Sequence, residues 1–313
     1  MTIASIDIGS NTVLLLIVEY DPVNQLITSV VNHFMTPRLG EGLSLGERIN
    51  ESKINSLMGI LSDYKNISVK NNCSAILLKA TNAFRIASNS IEIIELIKEK
   101  YSLEIEIVTG NEEARLTFLG SAFPFSQNES KIVIDIGGGS TEIIYGNHKE
   151  IIFKKSFNIG VVSLTEKFFL SLPPSKETIT DAIKYINEIF IELSDLIPPN
   201  IKTIAVAGTP TTLSCIKQGM KIYSDKLVDN SIISITELKD IIERLAKMGK
   251  EDVLHNYGEV TVGREDLLLA GSIILQTIMQ NLRLQNIIVS SKGLRYGTVI
   301  DYLIKNQLMN TER

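Results

Sequence analysis

The chain has 313 residues, 44% of them hydrophobic and 21% charged, with a net charge of −5. That length predicts about two domains, the acidic balance gives no support for nucleic-acid binding, and no apolar run approaches the roughly 20 residues of a membrane span. Cys73 and Cys215 form neither a metal spacing nor a disulfide framework, and the opening MTIASIDIG lacks a signal peptide's features, so a soluble cytoplasmic protein is expected.

In chain order, Ile3–Ile8 reads as a strand, Gly9-Ser10-Asn11 as a tight turn, Thr12–Tyr20 as a returning strand and Leu26–His33 as a third. A Gly-rich stretch, Arg38–Leu43, leads to a helical pattern over about Glu51–Val69. Ser74–Lys79 is a short buried strand, Thr81 and Asn82 are N-cap types, Ser90–Lys100 is helical, and Leu103–Val108 is a strand leading into Thr109-Gly110-Asn111 and a helix. Phe123–Asn128 interrupts the pattern, and then the opening recurs: Ile6-Asp7-Ile8-Gly9 matches Ile134-Asp135-Ile136-Gly137. The second half continues as strand Ile151–Asn158, helices over about Val162–Leu170 and Lys176–Leu196, strand Thr203–Ala207, then mainly helix apart from Asn286–Ser290. Strands first and helices after, in each half, predict two α/β lobes.

The repeated hairpin is the first candidate site. A strand ending in Asp7 and turning through Gly9-Ser10-Asn11 offers a carboxylate, short polar side chains and converging N–H groups; an ordinary hairpin turn uses the same residue types. The second copy, Asp135 through Gly137-Gly138-Gly139-Ser140-Thr141 to Glu142, spends three consecutive glycines, costly unless backbone must approach something closely. Acids beside a phosphate site make sense when Mg²⁺ bridges them to phosphate oxygens. Gly208-Thr209 follows another short strand and reads equally as a phosphate cradle or as a helix N-cap.

Thr109 and Glu112 have capping-box spacing, which gives Glu112 a structural task and leaves Glu113 without one; proton transfer to water is the chemical alternative to dipole compensation. Arg85, expected in a first helical turn, opposes the dipole there, and phosphate recognition competes with simple surface exposure as its explanation. His33, His148 and His255 are scattered without metal-site spacing.

Taken together, SIDIGSNT, RLGEGL, ATNAFR, GNEEARL, VIDIGGGSTE, GREDLL and GLRYG resemble, in order and over essentially the whole chain, the exopolyphosphatase and guanosine pentaphosphate phosphohydrolase (Ppx/GppA) family. The likeness is to its short, two-domain form, without the helical C-terminal extension of long members. The resemblance implies two ribonuclease-H-like lobes of the actin, Hsp70 and sugar kinase superfamily, with an active site in the cleft between them. It implies a first lobe of residues 1–124 plus a C-terminal helix over about 293–313, and a second lobe of 125–292. It further implies Glu113 as the base that activates water, Asp135 and Glu142 as ligands of Mg²⁺ or another divalent cation, and a phosphate grip from Asp7, Ser10, Asn11, Arg85, Gly137, Gly138, Gly139, Ser140, Thr141, Gly208 and Thr209. The expected substrate is inorganic polyphosphate, with guanosine pentaphosphate (pppGpp) or a non-catalytic polyphosphate or alarmone sensor as alternatives. No nucleic-acid or membrane partner is expected, a homodimer is left open, and Arg264 and Arg295 either touch ligand or brace helix starts.

Overall fold

A computed structural model describes residues 1–123, 129–147, 150–198 and 201–309. The Pro124–Asn128 interruption and His148 therefore lie outside the described residues. The chain forms two compact units, Met1–Gly120 with Leu294–Arg313, and Ser121–Gly293.

The first unit opens with β1 (Thr2–Ile8), β2 (Val13–Asp21) and β3 (Leu26–Met35), an antiparallel meander. Then come α1 (Glu51–Lys70), β4 (Ala75–Ala80), α2 (Asn82–Ile86), α3 (Ser90–Tyr101), β5 (Ile105–Ile107) and α4 (Gly110–Ala122). The sheet order is β3-β2-β1-β4-β5, with β4 and β5 running parallel to β1. Register puts Ala4, Ile6 and Ile8 beside Ile17, Leu15 and Val13, so one face of the hairpin is wholly apolar. That face forms a core with Leu57, Leu61 and Tyr64 of α1, residues at helical spacing. Asn50 starts α1 by accepting from the Lys53 amide, as an N-cap should.

The second unit repeats the plan. Strands β6 (Lys131–Ile136), β7 (Thr141–Gly146) and β8 (Ile151–Phe157) form the meander. They are followed by α5 (Val161–Phe168), α6 (Lys176–Phe190), α7 (Leu193–Leu196), β9 (Lys202–Val206), α8 (Gly208–Lys217) and α9 (Asp225–Val228). Then come β10 (Ile232–Ser234), α10 (Ile235–Leu245), α11 (Lys250–Tyr257), α12 (Leu268–Asn281) and β11 (Asn286–Val289). The order is β10-β11-β9-β6-β7-β8, which matches the first sheet strand for strand if β10 is set aside. This is the ribonuclease-H-like arrangement in both lobes. Ile132, Ile134, Ile136, Ile143 and Ala205 share one face and join α12 in a core. Helix α12 is buried on nearly every side, as its predominantly apolar sequence requires.

Two elements differ from the sequence reading. The helix expected over Lys176–Leu196 breaks at Ile191–Glu192 into α6 and α7. Strand β10 was not anticipated: three residues running straight into the capping box of Ser234 and Glu237 leave no alternation to detect.

Helix α13 (Leu294–Lys305) belongs to the first unit. It crosses α4 at Gly297, where any side chain would collide with the Leu116 carbonyl. Arg295 bonds the Leu15 carbonyl (3.1 Å) and Asn32 Oδ1 (2.7 Å), so it braces the helix start against β2 and β3. The Tyr20 hydroxyl donates to the Leu308 carbonyl at 2.7 Å, fixing the other end. No helix among the described residues is long and apolar enough to cross a membrane.

Candidate functional site

The two hairpins close alike. Gly9 N donates to Thr12 O at 3.0 Å, and Gly137 N to Ser140 O at 2.9 Å, so each loop is a four-residue turn between paired strands. In the first loop Ser10 and Asn11 are 5% and 8% exposed, yet the Ser10 hydroxyl and Asn11 Oδ1 have no hydrogen-bond partner among the described residues. Buried polar atoms are normally satisfied, so these two are candidates for a ligand.

The second loop sits beside a pair of acids. Asp135 of β6 and Glu142 of β7 are direct cross-strand partners, which puts their carboxylates on one sheet face about 5 Å apart at Cβ. Two like charges so placed repel, and Glu142 is 1% exposed. Ser156 of β8 donates to Glu142 Oε1 at 2.6 Å, which holds the carboxylate in place. The same face carries Val133 and Ile144 and lies opposite the one that packs on α12. The donor set suits Mg²⁺, which takes one or two carboxylates and completes its octahedron with water and phosphate oxygens. Among the described residues no group of three or more His, Cys, Asp or Glu could hold a metal.

The acid run at the start of α4 divides its labour. The Thr109 hydroxyl accepts from Glu112 N at 3.2 Å, but Glu112 does not reach back to complete the capping box. Its carboxylate is gripped twice by Arg115 (2.8 and 2.7 Å), which also bonds Asp301 of α13 at 2.7 Å. Glu113 turns the other way and is 9% exposed. Burial pushes its carboxyl above the usual carboxylate range, while the adjacent Arg85 guanidinium opposes that shift. Arg85 Nη1 bonds both Glu113 Oε2 (2.6 Å) and the Val108 carbonyl (3.0 Å). Because α2 has only five residues, Arg85 falls in its last turn and complements the dipole, contrary to the sequence expectation.

At the third segment, Ala207 has φ 75° and ψ −169°, a region that is essentially glycine's own. That strain turns the chain from β9 into α8 at Gly208. Arg264 covers Gly208 so closely that a Cβ there would lie 2.5 Å from its Cζ, and its Nη1 bonds Thr212 Oγ1 at 3.2 Å.

One of the expected phosphate contacts has a partner inside the lobe. Thr141 is fully buried, and its hydroxyl donates to the Ile159 carbonyl at 2.6 Å. The Thr141 hydroxyl is thus committed to the lobe's own backbone. The Thr209 side chain lies beside Gly271 of α12, where an added Cβ would meet it. Sequence reasoning missed Ser156, which no motif marks, and Gly160, whose Cβ would meet Gly137 O at 2.6 Å and Gly138 C at 2.5 Å. The only sequence signal for Gly160 is a glycine just after a strand and just before an apolar helix.

Comparison with known proteins gives a consistent result. A sequence model of the Ppx/GppA phosphatase family matches residues 16–306. The chain is 31% identical over 309 residues to a bifunctional 3-dehydroquinate synthase/phosphatase of Fusobacterium nucleatum, covering 95% of this chain but only 46% of that protein. It is 28% identical over 291 residues to exopolyphosphatase 2 of Mycobacterium tuberculosis, covering 90% and 91% of the two chains. The crystal structure of the Aquifex aeolicus Ppx/GppA family member superposes with a TM-score of 0.83 at 27% identity, covering 98% of both chains. An exopolyphosphatase structure from Cytophaga hutchinsonii gives 0.86 at 25% identity with full coverage of both.

Proposed function

The chain belongs to the Ppx/GppA phosphatase family, hydrolases of anhydride bonds, and from that premise we propose that it is a divalent-metal-dependent exopolyphosphatase. The reading is that it releases orthophosphate from the end of inorganic polyphosphate. The observation that carries it is Glu113: a buried carboxylate beside Arg85, raised toward neutrality by burial, while its neighbour Glu112 is committed to Arg115. A base with that setting is matched to taking a proton from water.

In the proposed reaction Glu113 orients a water and accepts its proton as the oxygen–phosphorus bond forms. The bridging phosphorus–oxygen bond breaks, its electron pair leaves with the shortened chain, and orthophosphate is the other product. Arg85 keeps Glu113 in place and adds positive charge where the transferred group would sit. The amides and hydroxyls of the Gly9–Thr12 and Gly137–Ser140 loops bind phosphate oxygens, and Asp7 orients water or cation at the first loop. Gly208 adds a backbone amide. A divalent cation held by Asp135 and Glu142 supplies, when bound, Lewis-acid neutralisation of phosphate charge.

The test is orthophosphate release by the purified chain from medium-chain polyphosphate and from pppGpp, with Mg²⁺ and with chelator. Mg²⁺-dependent release, faster from polyphosphate, is the expected result. Faster release from pppGpp would reassign the substrate, and tight binding without release would reassign the protein as a sensor.

A further inference from the structure

Two segments outside the proposed reaction abut the loops: the Arg38–Leu43 stretch in the first lobe, and Gly160 at the start of α5 in the second. We infer that Gly40 and Gly160 are positioning residues that aim the loop amides at the phosphate chain; this rests on the reading of those loops as phosphate-binding.

The geometry runs through the peptide planes. In a trans peptide the carbonyl and the following N–H point in opposite directions. Val161 N donates to Gly137 O at 2.9 Å and Val162 N to Gly138 O at 2.8 Å, so both carbonyls face α5. The N–H groups of Gly138 and Gly139 must then point away from α5, side by side, as in an anion-binding nest. The first amides of a helix ordinarily lack intrahelical partners and carry its positive pole. Here they are consumed by the loop, and the polarity passes through two peptides to the loop's outer side.

The first lobe reaches the same result with a different backing. Gly40 N donates to Ser10 O at 2.7 Å and Arg38 N to Asn11 O at 3.1 Å, which turns the N–H groups of Asn11 and Thr12 outward. No helix supplies the donors; a turn does, with Arg38 at φ 52°.

Both backings demand glycine. A Cβ at Gly160 would strike Gly138 O and lie 2.6 Å from Gly137 O, displacing the two carbonyls that set the nest. A Cβ at Gly40 would lie 2.7 Å from Ser10 Cβ and 3.2 Å from Ser10 Oγ, displacing the hydroxyl that has no partner within the described residues. Neither glycine is needed for its own φ, since neither is among the positive-φ residues. The constraint is the closeness of the loop. Ser163 adds a clamp: its hydroxyl accepts from Gly160 N at 2.9 Å and donates to Gly160 O at 3.2 Å.

The experiment compares full-length wild type, Gly160→Ala, Gly40→Ala and Ser163→Ala, with Gly59→Ala of α1, where an added Cβ meets nothing within 4 Å, as the neutral control. Orthophosphate release from polyphosphate is read as separate kcat and KM per folded molecule, and binding of unreacted polyphosphate is read by calorimetry. Misplacing the loops by about 1 Å predicts a fall in kcat of about 10²-fold for Gly160→Ala and Gly40→Ala. Ser163→Ala, which adds no bulk and only loosens the clamp, should lower kcat severalfold. Wild-type kcat and affinity in the folded glycine variants would overturn the inference; if those variants do not fold, unchanged kcat in Ser163→Ala would overturn it. If wild type releases no phosphate, the functional reading fails, and weaker polyphosphate binding by Gly160→Ala than by wild type still decides the positioning role.

Discussion

Asp7 and Asp135 end equivalent strands, β1 and β6, and each is followed by a four-residue loop closed by the same glycine hydrogen bond. Their neighbours differ. Asp7 lies between Leu14 on β2 and Lys79 on β4, and Lys79 is itself ion-paired with Glu106 of β5. Asp135 lies between Glu142 on β7 and Val206 on β9. The first hairpin has a protein cation next to its aspartate; the second has another carboxylate and an aliphatic side chain. Paired carboxylates at neighbouring strand positions suit a metal ion, which is why the proposed metal site is Asp135 and Glu142.

The largest expected effect comes from erasing that difference. Glu142→Leu gives the second hairpin the first one's pattern and should lower phosphate release by on the order of 10²–10³-fold. Calorimetry should show Mg²⁺ binding lost; unchanged affinity would place the cation elsewhere. Next comes the α4–α13 crossing, which only the first lobe has. Gly297→Ala forces a methyl group into the Leu116 carbonyl, and about 1–3 kcal/mol of stability should be lost, read as a lower denaturation midpoint.

A pH profile tests Glu113 as the base. Burial raises its carboxyl, and the base works only when ionised, so activity should fall as pH drops through a value above the ordinary carboxylate range. The stability contribution has the opposite sign: a raised carboxyl favours the fold at low pH, and that contribution is lost as pH rises through the folded value. Arg85→Met removes the opposing charge, so the acid limb of kcat/KM should move to higher pH. A limb that stays put would disconnect Arg85 from Glu113. The smallest effect is at the β9–α8 corner. Ala207 is strained, whereas its counterpart Ala80 is not among the positive-φ residues. Ala207→Gly should gain roughly 1 kcal/mol and raise the melting temperature by about 2–4 °C.

The hairpins were legible because Ile-Asp-Ile-Gly recurs with the same register on either side, so the Asp135–Glu142 pairing follows from counting along two strands. The different directions of Glu112 and Glu113 were legible from their 100° offset on a helix, although Glu112 turned out to serve Arg115 rather than its own cap. What the sequence hid depends on long-range contact. Thr141 looks like a phosphate ligand by type, and only packing shows its hydroxyl donating to the Ile159 carbonyl. The Arg38–Leu43 motif was visible as a pattern, but its contact with Ser10 joins segments about thirty residues apart through a turn with no periodicity to read. Arg85 was misjudged because the length of α2, five residues, sets which pole of the helix it meets.

The central claim, that Glu113 is the base, is tested most directly by Glu113→Gln, which keeps the side chain's size and its capacity to accept from Arg85. Turnover on polyphosphate at saturating Mg²⁺ should fall by about 10²–10⁴-fold, with polyphosphate binding and the circular dichroism spectrum retained. Turnover near that of the wild type in a folded variant would contradict the account.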